Sequence, residues 1–330
     1  MSGGASSDQE GRPHDCLMVC EHFGAELARL RGEGWRVDEI YPADEPQSAI
    51  LSRGEKSVRL TSQRAANEPG ESLPAFRPAF VLTRASDGGG EGRAGMLYRD
   101  LIPDRLGGRY IASHITIPEG GPVDDWVHYH GIAFQMIYVR SGWVKVVYED
   151  QGDSFVMNAG DLVLQPPFIR HRVLESSPCL EVIEIGCPAL HKTFGDHEME
   201  LPNGVNADRL FSGQQFLRHI AADTPWTPFG SGEAQETAME SVTAGLADVR
   251  TASAIDGAPI EFEPHHGELV FAFVLSGSAR ISFEGEQALG AGDSFVIPPG
   301  KAWTIDAASP DFRLLHVATA QIPDAPAKTA

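Results

Sequence analysis

The sequence predicts an all-β protein that carries a small α+β subdomain at its N-terminal side and two barrels of short strands behind it. Three observations point there. Glycine (35) and proline (23) are plentiful among 330 residues, which favours short strands joined by tight turns over long helices. Apolar residues make up 42%, enough to fill real cores. Two blocks, 97–190 and 237–322, repeat the same landmarks in the same order, and a duplicated strand-rich block implies two barrels or sandwiches in one chain.

The elements follow in chain order. Residues 1–14 are polar, lack an apolar h-region, and are expected to form a disordered lead with no signal peptide. In 15–64, Cys16–Cys20 alternates with apolar residues and reads as a buried strand. Phe23, Leu27 and Leu30 recur at helical spacing and predict a helix over 23–33, stopped by Gly34. Trp35–Tyr41, Ser48–Ser52 and Lys56–Thr61 read as strands, with Arg53-Gly54-Glu55 as a turn. The resulting β-α-β-β-β order resembles one module of the vicinal-oxygen-chelate (glyoxalase-like) fold. That fold builds its metal site from two modules and only one is present, so this block is expected to be structural or to cover substrate. Residues 65–96 are rich in Ala, Glu, Pro, Ser and Gly and read as a linker or mobile loop. Residues 191–236 form a mixed connection, and 323–330 a polar tail. Cys16, Cys20, Cys179 and Cys187 are too few and too clustered for a disulfide framework, so a cytoplasmic location is expected.

The repeat carries the chemistry. In the first block Val127-His128-Tyr129-His130 precedes Met136–Gly142, then Ala159-Gly160-Asp161, Pro166-Pro167 and Ile169-Arg170-His171. In the second, Glu263-Pro264-His265-His266 precedes Phe273–Gly277, then Ala291-Gly292-Asp293 and Pro298-Pro299-Gly300. Arg109–Ile117 and Asp248–Ala254 match as lead-ins. Both blocks resemble the cupin superfamily, a double-stranded β-helix (jelly-roll) fold. Its first motif has His-x-His, then Glu, then Gly; its second has Gly-Asp, Pro-x-Gly and His. Block one matches with His128, His130, Gly142, Gly160-Asp161, Pro166 and His171. It departs at Gln135, where the family usually has Glu, and at Phe168, where it has Gly.

Residues i and i+2 of a strand point to one face, so His128 and His130 project together, and His171 from another strand can complete three ligands. Neutral imidazole suits a divalent first-row metal, with Fe(II) favoured and Mn, Ni or Zn as alternatives. Gln135 is neutral and either ligates the metal or stands behind the ligands. On its strand Ile137 and Val139 share its inward face, while Phe134, Met136 and Tyr138 face away. Glu184 and His316 occupy matching positions in the two last strands, and either could act inside its barrel as an acid/base group. His114 is a further candidate lining residue, and Arg170 should point away from His171. In block two the family positions hold Glu263, His265, Val270 and Trp303, so no metal is expected, and Trp303 would fill the space one needs.

A net charge of −20 argues against nucleic acid or an anionic membrane as partner, and no stretch of 18 apolar residues predicts a membrane span. A small-molecule substrate and a homodimer are expected. The resemblance implies a metal-dependent bicupin dioxygenase acting on a small oxygenated acid, enol or phenol. A non-redox isomerase, lyase or epimerase, and a non-catalytic binding cupin, remain the alternatives.

Overall fold

The computed structural model describes residues 16–63, 72–91 and 96–323; the expected lead (1–14) and nearly all of the tail (323–330) lie outside these. Strands dominate, and they form two barrels of the same construction. In barrel one, one sheet runs His128–His130, His171–Ser176, Trp143–Tyr148, Phe155–Asn158, and faces a second that runs Leu162–Leu164, Phe134–Ser141, Leu180–Cys187, Ile111–Ile117. Barrel two repeats both orders. Ile260–Phe262, Trp303–Asp306, Ser278–Ser282 and Glu286–Gly290 form one sheet; Ser294–Ile297, Leu269–Ser276, Arg313–Thr319 and Ala247–Ser253 form the other.

Side-chain alternation explains how the two barrels meet. Val139, Ile115 and Val182 turn into barrel one and pack with Val144, Val146 and Val163. The alternate residues Phe134, Met136, Tyr138, Ile183 and Ile185 turn outward, yet they are buried. They form one core with Phe271, Phe273, Leu315 and Val317 of barrel two. The face predicted to point away from the Gln135 side is therefore the seam between barrels, held by hydrophobic burial. A buried ion pair crosses it. Arg109 donates to Glu268 through Nη2 (2.8 Å) and Nε (3.0 Å), and Tyr110 Oη donates to Glu268 Oε2 (3.0 Å). Such a bidentate, hydrogen-bonded arrangement is what a charge taken out of water requires.

The N-terminal block has the expected β-α-β-β-β order, with helix Phe23–Gly32 and Gly34 at φ +85° just beyond it. Its sheet is joined to barrel one. Arg36–Tyr41 pairs with Thr193–Gly195, which pairs in turn with His128–His130, so a continuous sheet leads from the subdomain to the histidine strand. Three expectations need correction. Cys16–Cys20 is not a buried strand: it is a sheet edge, parallel to Lys56–Ser62, and leaves Leu17 62% and Val19 59% exposed. Within 65–96, residues 65–71 and 92–95 lie outside the described residues, but Val81–Thr83 is a strand paired with Ser294–Ile297 of barrel two. Its neighbours Leu73 and Phe76 pack on the seam; local composition cannot reveal a partner two hundred residues away. His114 does not line barrel one. It sits opposite Ile183 on the seam face, with Nε2 2.8 Å from Glu181 and its ring edge-on to Phe273.

Candidate metal centre

Strand pairing builds the histidine cluster. His128 lies directly opposite His171 across adjacent antiparallel strands, where side chains of a pair stand closest. His130, two residues on, shares that face. The three rings have centroids 4.3 Å (128–171), 5.2 Å (130–171) and 5.3 Å (128–130) apart. One nitrogen from each lies within 4.8 Å of the others. Nitrogens sharing an ion at about 2.1 Å can be at most about 4.2 Å apart, so slight ring rotations would close the cluster on a metal.

The other nitrogens are used to aim these. His128 Nδ1 lies 2.8 Å from the Trp126 carbonyl, with Asp125 Oδ1 at 3.4 Å. His171 Nδ1 lies 3.1 Å from the Ile169 carbonyl, and His130 Nδ1 2.9 Å from Thr193 Oγ1. A carbonyl only accepts, so His128 and His171 carry their proton on Nδ1 and present Nε2 to the site. This is the outer support that metal-binding histidines receive.

Gln135 and Glu184 are brought to the same interior. Gln135 is 2% exposed and its Nε2 donates to Glu184 Oε1 at 2.6 Å. That bond fixes the amide, and Gln135 Oε1 is left buried with no hydrogen-bond partner among the described residues. An unmet buried acceptor is costly, and a cation or a ligand hydroxyl would meet it. The donor set therefore fits a divalent metal: three imidazoles, a poised amide oxygen, and a carboxylate held behind it.

Residues that the sequence reading did not single out complete the wall. Tyr148 pairs with His171 across the sheet and stacks on its ring at 5.4 Å. Its hydroxyl accepts from Gln165 Nε2 at 2.8 Å, and burial pushes it well above the usual phenol range. Phe155 and Phe216 lie against it. Trp143–Tyr148 was legible as a strand, but which residue would face His171 depends on its register. His191 was also missed; its ring is edge-on to His130 at 5.4 Å. Arg170 turns away as expected, bonding Asp196 at 2.9 Å and covering the Tyr129 ring.

Barrel two holds apolar rings in the same frame. Trp303 is opposite Phe262 as His171 is opposite His128. The matching position is thus Phe262, one residue before the expected Glu263, which is exposed. The irregular run after Phe262 absorbs the offset, which residue spacing could not show. Phe262 and Trp303 stack at 3.8 Å and 5°, and His316 stacks on Phe262 at 5.3 Å. Among the described residues no second cluster of metal-ligating groups occurs. A separate cavity of about 610 Å³ lies beside Asp248, Arg250, His265 and His266.

Comparison with known proteins fits this architecture. Residues 255–317 match the family model of the cupin domain. The fold is a bicupin fold. Salicylate 1,2-dioxygenase from Pseudaminobacter salicylatoxidans is similar at 17% identity and TM-score 0.54, over 75% of this chain and 86% of that one. A single-residue mutant of the Bacillus subtilis oxalate decarboxylase OxdC is similar at 13% identity and TM-score 0.55, over 82% and 87%. The protein Ylba from E. coli is similar at 14% identity and TM-score 0.52, over 77% and 94%. No curated protein matches the chain. The family match falls on the second barrel, whereas the histidine cluster is in the first. Among the described residues no helix is long and apolar enough to cross a membrane.

Proposed function

We propose that this bicupin is a metal-dependent dioxygenase that acts on a small oxygenated acid, enol or phenol in barrel one, with Fe(II) held by His128, His130 and His171. The observation that supports this reading most is the neutral fourth position. With Gln135 in place of a carboxylate, three neutral imidazoles leave the ion its full charge and leave open positions for a substrate that chelates through two oxygens. The bound metal would supply an electrophilic centre there.

The chain's own residues do the rest. Gln135 Oε1 meets a substrate hydroxyl or the ion. The Glu184 carboxylate, fixed by Gln135 Nε2, is the group placed to take a proton from an acidic substrate hydroxyl. Tyr148 stays un-ionised and can donate a hydrogen bond from its phenol. Ile137, Val139 and Phe216 help keep water from the reacting centre.

A second reading rests on that same Glu184: an interior carboxylate beside a Lewis-acid site equally serves a lyase, and oxalate decarboxylases are among the similar structures. An oxygen electrode separates the two. Iron-loaded protein, offered a panel of hydroxybenzoates and 2-oxo acids, should take up O2 in step with substrate loss, and His128→Ala should not. Turnover that persists unchanged without O2 would move the assignment to the lyase. We further propose that the protein is a homodimer and works in a reducing compartment, where its four free thiols are stable; sizing by light scattering tests the first.

A further inference from the structure

One of the three ligand histidines is aimed differently from the others, and its support comes from outside the barrel. Ligation needs a lone pair on Nε2, hence a proton on Nδ1. For His128 and His171 the partner of Nδ1 is a backbone carbonyl, which can only accept and so forces that tautomer. For His130 the partner is the Thr193 hydroxyl at 2.9 Å, which can accept or donate. If it donates, the proton moves to Nε2 and His130 cannot ligate.

Thr193 is 2% exposed and lies on the strand that splices the N-terminal sheet to the histidine strand. It pairs with His130 on one side and Ile40 on the other. The preceding residues are fastened to the same subdomain. Lys192 Nζ meets Glu39 Oε1 at 2.9 Å, and the Ala43 amide donates to the His191 carbonyl at 3.1 Å. The His191 ring, edge-on at 79°, flanks the His130 ring.

We propose that Thr193 is the positioning residue that holds His130 in its ligating tautomer by accepting from Nδ1–H, and that the N-terminal block acts as a clamp for this one ligand by holding residues 191–195. The part concerning metal rests on the three-histidine reading above; the tautomer does not. Losing the hydroxyl would remove the acceptor that favours Nδ1–H and shift the balance toward the competing Nε2–H form.

The test uses full-length, metal-free protein with 15N-labelled histidine, His130 being assigned by its disappearance in His130→Ala. Wild type and Thr193→Ser should show His130 protonated on Nδ1; Thr193→Val, which keeps the shape, should show a substantial Nε2–H population. Cobalt(II) affinity, by competition with a chromophoric chelator, should fall about 10–100-fold in Thr193→Val and recover in Thr193→Ser. Thermal melting reports that each variant is folded. A Thr193→Val protein that keeps both the tautomer and the affinity overturns the proposal. Wild type that shows the Nδ1–H signature yet holds no cobalt overturns the metal reading alone.

Discussion

The two barrels share strand order, register and turn glycines, and differ in the pair of side chains at one cross-strand position. Barrel one has His128 against His171; barrel two has Phe262 against Trp303. Around the first pair the interior is polar, with Gln135, Glu184 and Gln165. Around the second the surroundings are mostly apolar, with Val270 where Gln135 would be and the His316 ring stacked on Phe262 where Glu184 would be. The comparison teaches that this fold does not need the site for its stability. The same frame closes over imidazoles or over stacked rings; among the described residues each leaves a buried polar atom unmatched, Gln135 Oε1 in barrel one and His316 Nδ1 in barrel two.

Exchanging these residues should break the comparison most sharply. His171→Trp places barrel two's residue in barrel one, filling the cluster and removing a ligand. Metal content after reconstitution, by mass spectrometry, should fall from about one ion per chain to background, with the fold retained by circular dichroism.

Truncating the ring in barrel two tests the stability side. Trp303→Ala removes a ring stacked on Phe262 at 3.8 Å and edge-on to Phe295. Large-to-small truncation of this kind costs about 3–5 kcal/mol, which urea unfolding would read. Barrel one should keep its metal. A loss under about 1 kcal/mol would mean that barrel two's core is not what the Phe262–Trp303 stack implies.

Glu184 and His316, at matching positions, sharpen the contrast through pH. Burial, with Arg250 and His265 adding to it, pushes the His316 imidazole down to about 3. An unfolded histidine titrates at about 6.5. Between these values the unfolded chain binds a proton that the folded one refuses, so stability is lost as pH falls below about 6.5. At pH 5 the difference amounts to about 2 kcal/mol. His316→Phe, which can join the stack, should unfold less readily than wild type at pH 5 and about equally at pH 7.5. Parallel pH profiles for the two proteins would remove His316 as the cause.

Much of this was legible in the sequence because it is periodic or repeated. Alternation placed His128 and His130 on one face of their strand and Gln135 and Val139 on one face of theirs, and the duplicated Gly-Asp and Pro-Pro runs aligned the blocks. What was not legible depends on pairing across long separations. Tyr148 faces His171, Thr193 faces His130, and Val81–Thr83 joins barrel two through register and sheet edges that no local pattern encodes. The Glu263 expectation failed for a related reason. Counting back from Gly277 assumes an uninterrupted spacing, and the chain absorbs one residue between Phe262 and His265.

The smallest effect concerns the motif position where the barrels meet the same backbone demand with different residues. Gly300 (φ +76°) and Phe168 (φ +64°) both adopt the left-handed conformation at the glycine of the second motif. Among the described residues a Cβ on Gly300 would meet nothing within 4 Å, so Gly300→Ala isolates the backbone cost and should destabilise by about 1 kcal/mol. Phe168 already carries that strain and offsets it with side-chain contact, edge-on to Tyr129 at 6.3 Å. Phe168→Gly would release the strain, lose the contact and gain unfolded-state entropy. These oppose one another, so the variant should stay within about 1 kcal/mol of wild type despite losing a half-buried ring. A loss of about 3 kcal/mol or more, that of a core truncation, would instead show that Phe168 is held by its packing and that strain at this turn is a minor term.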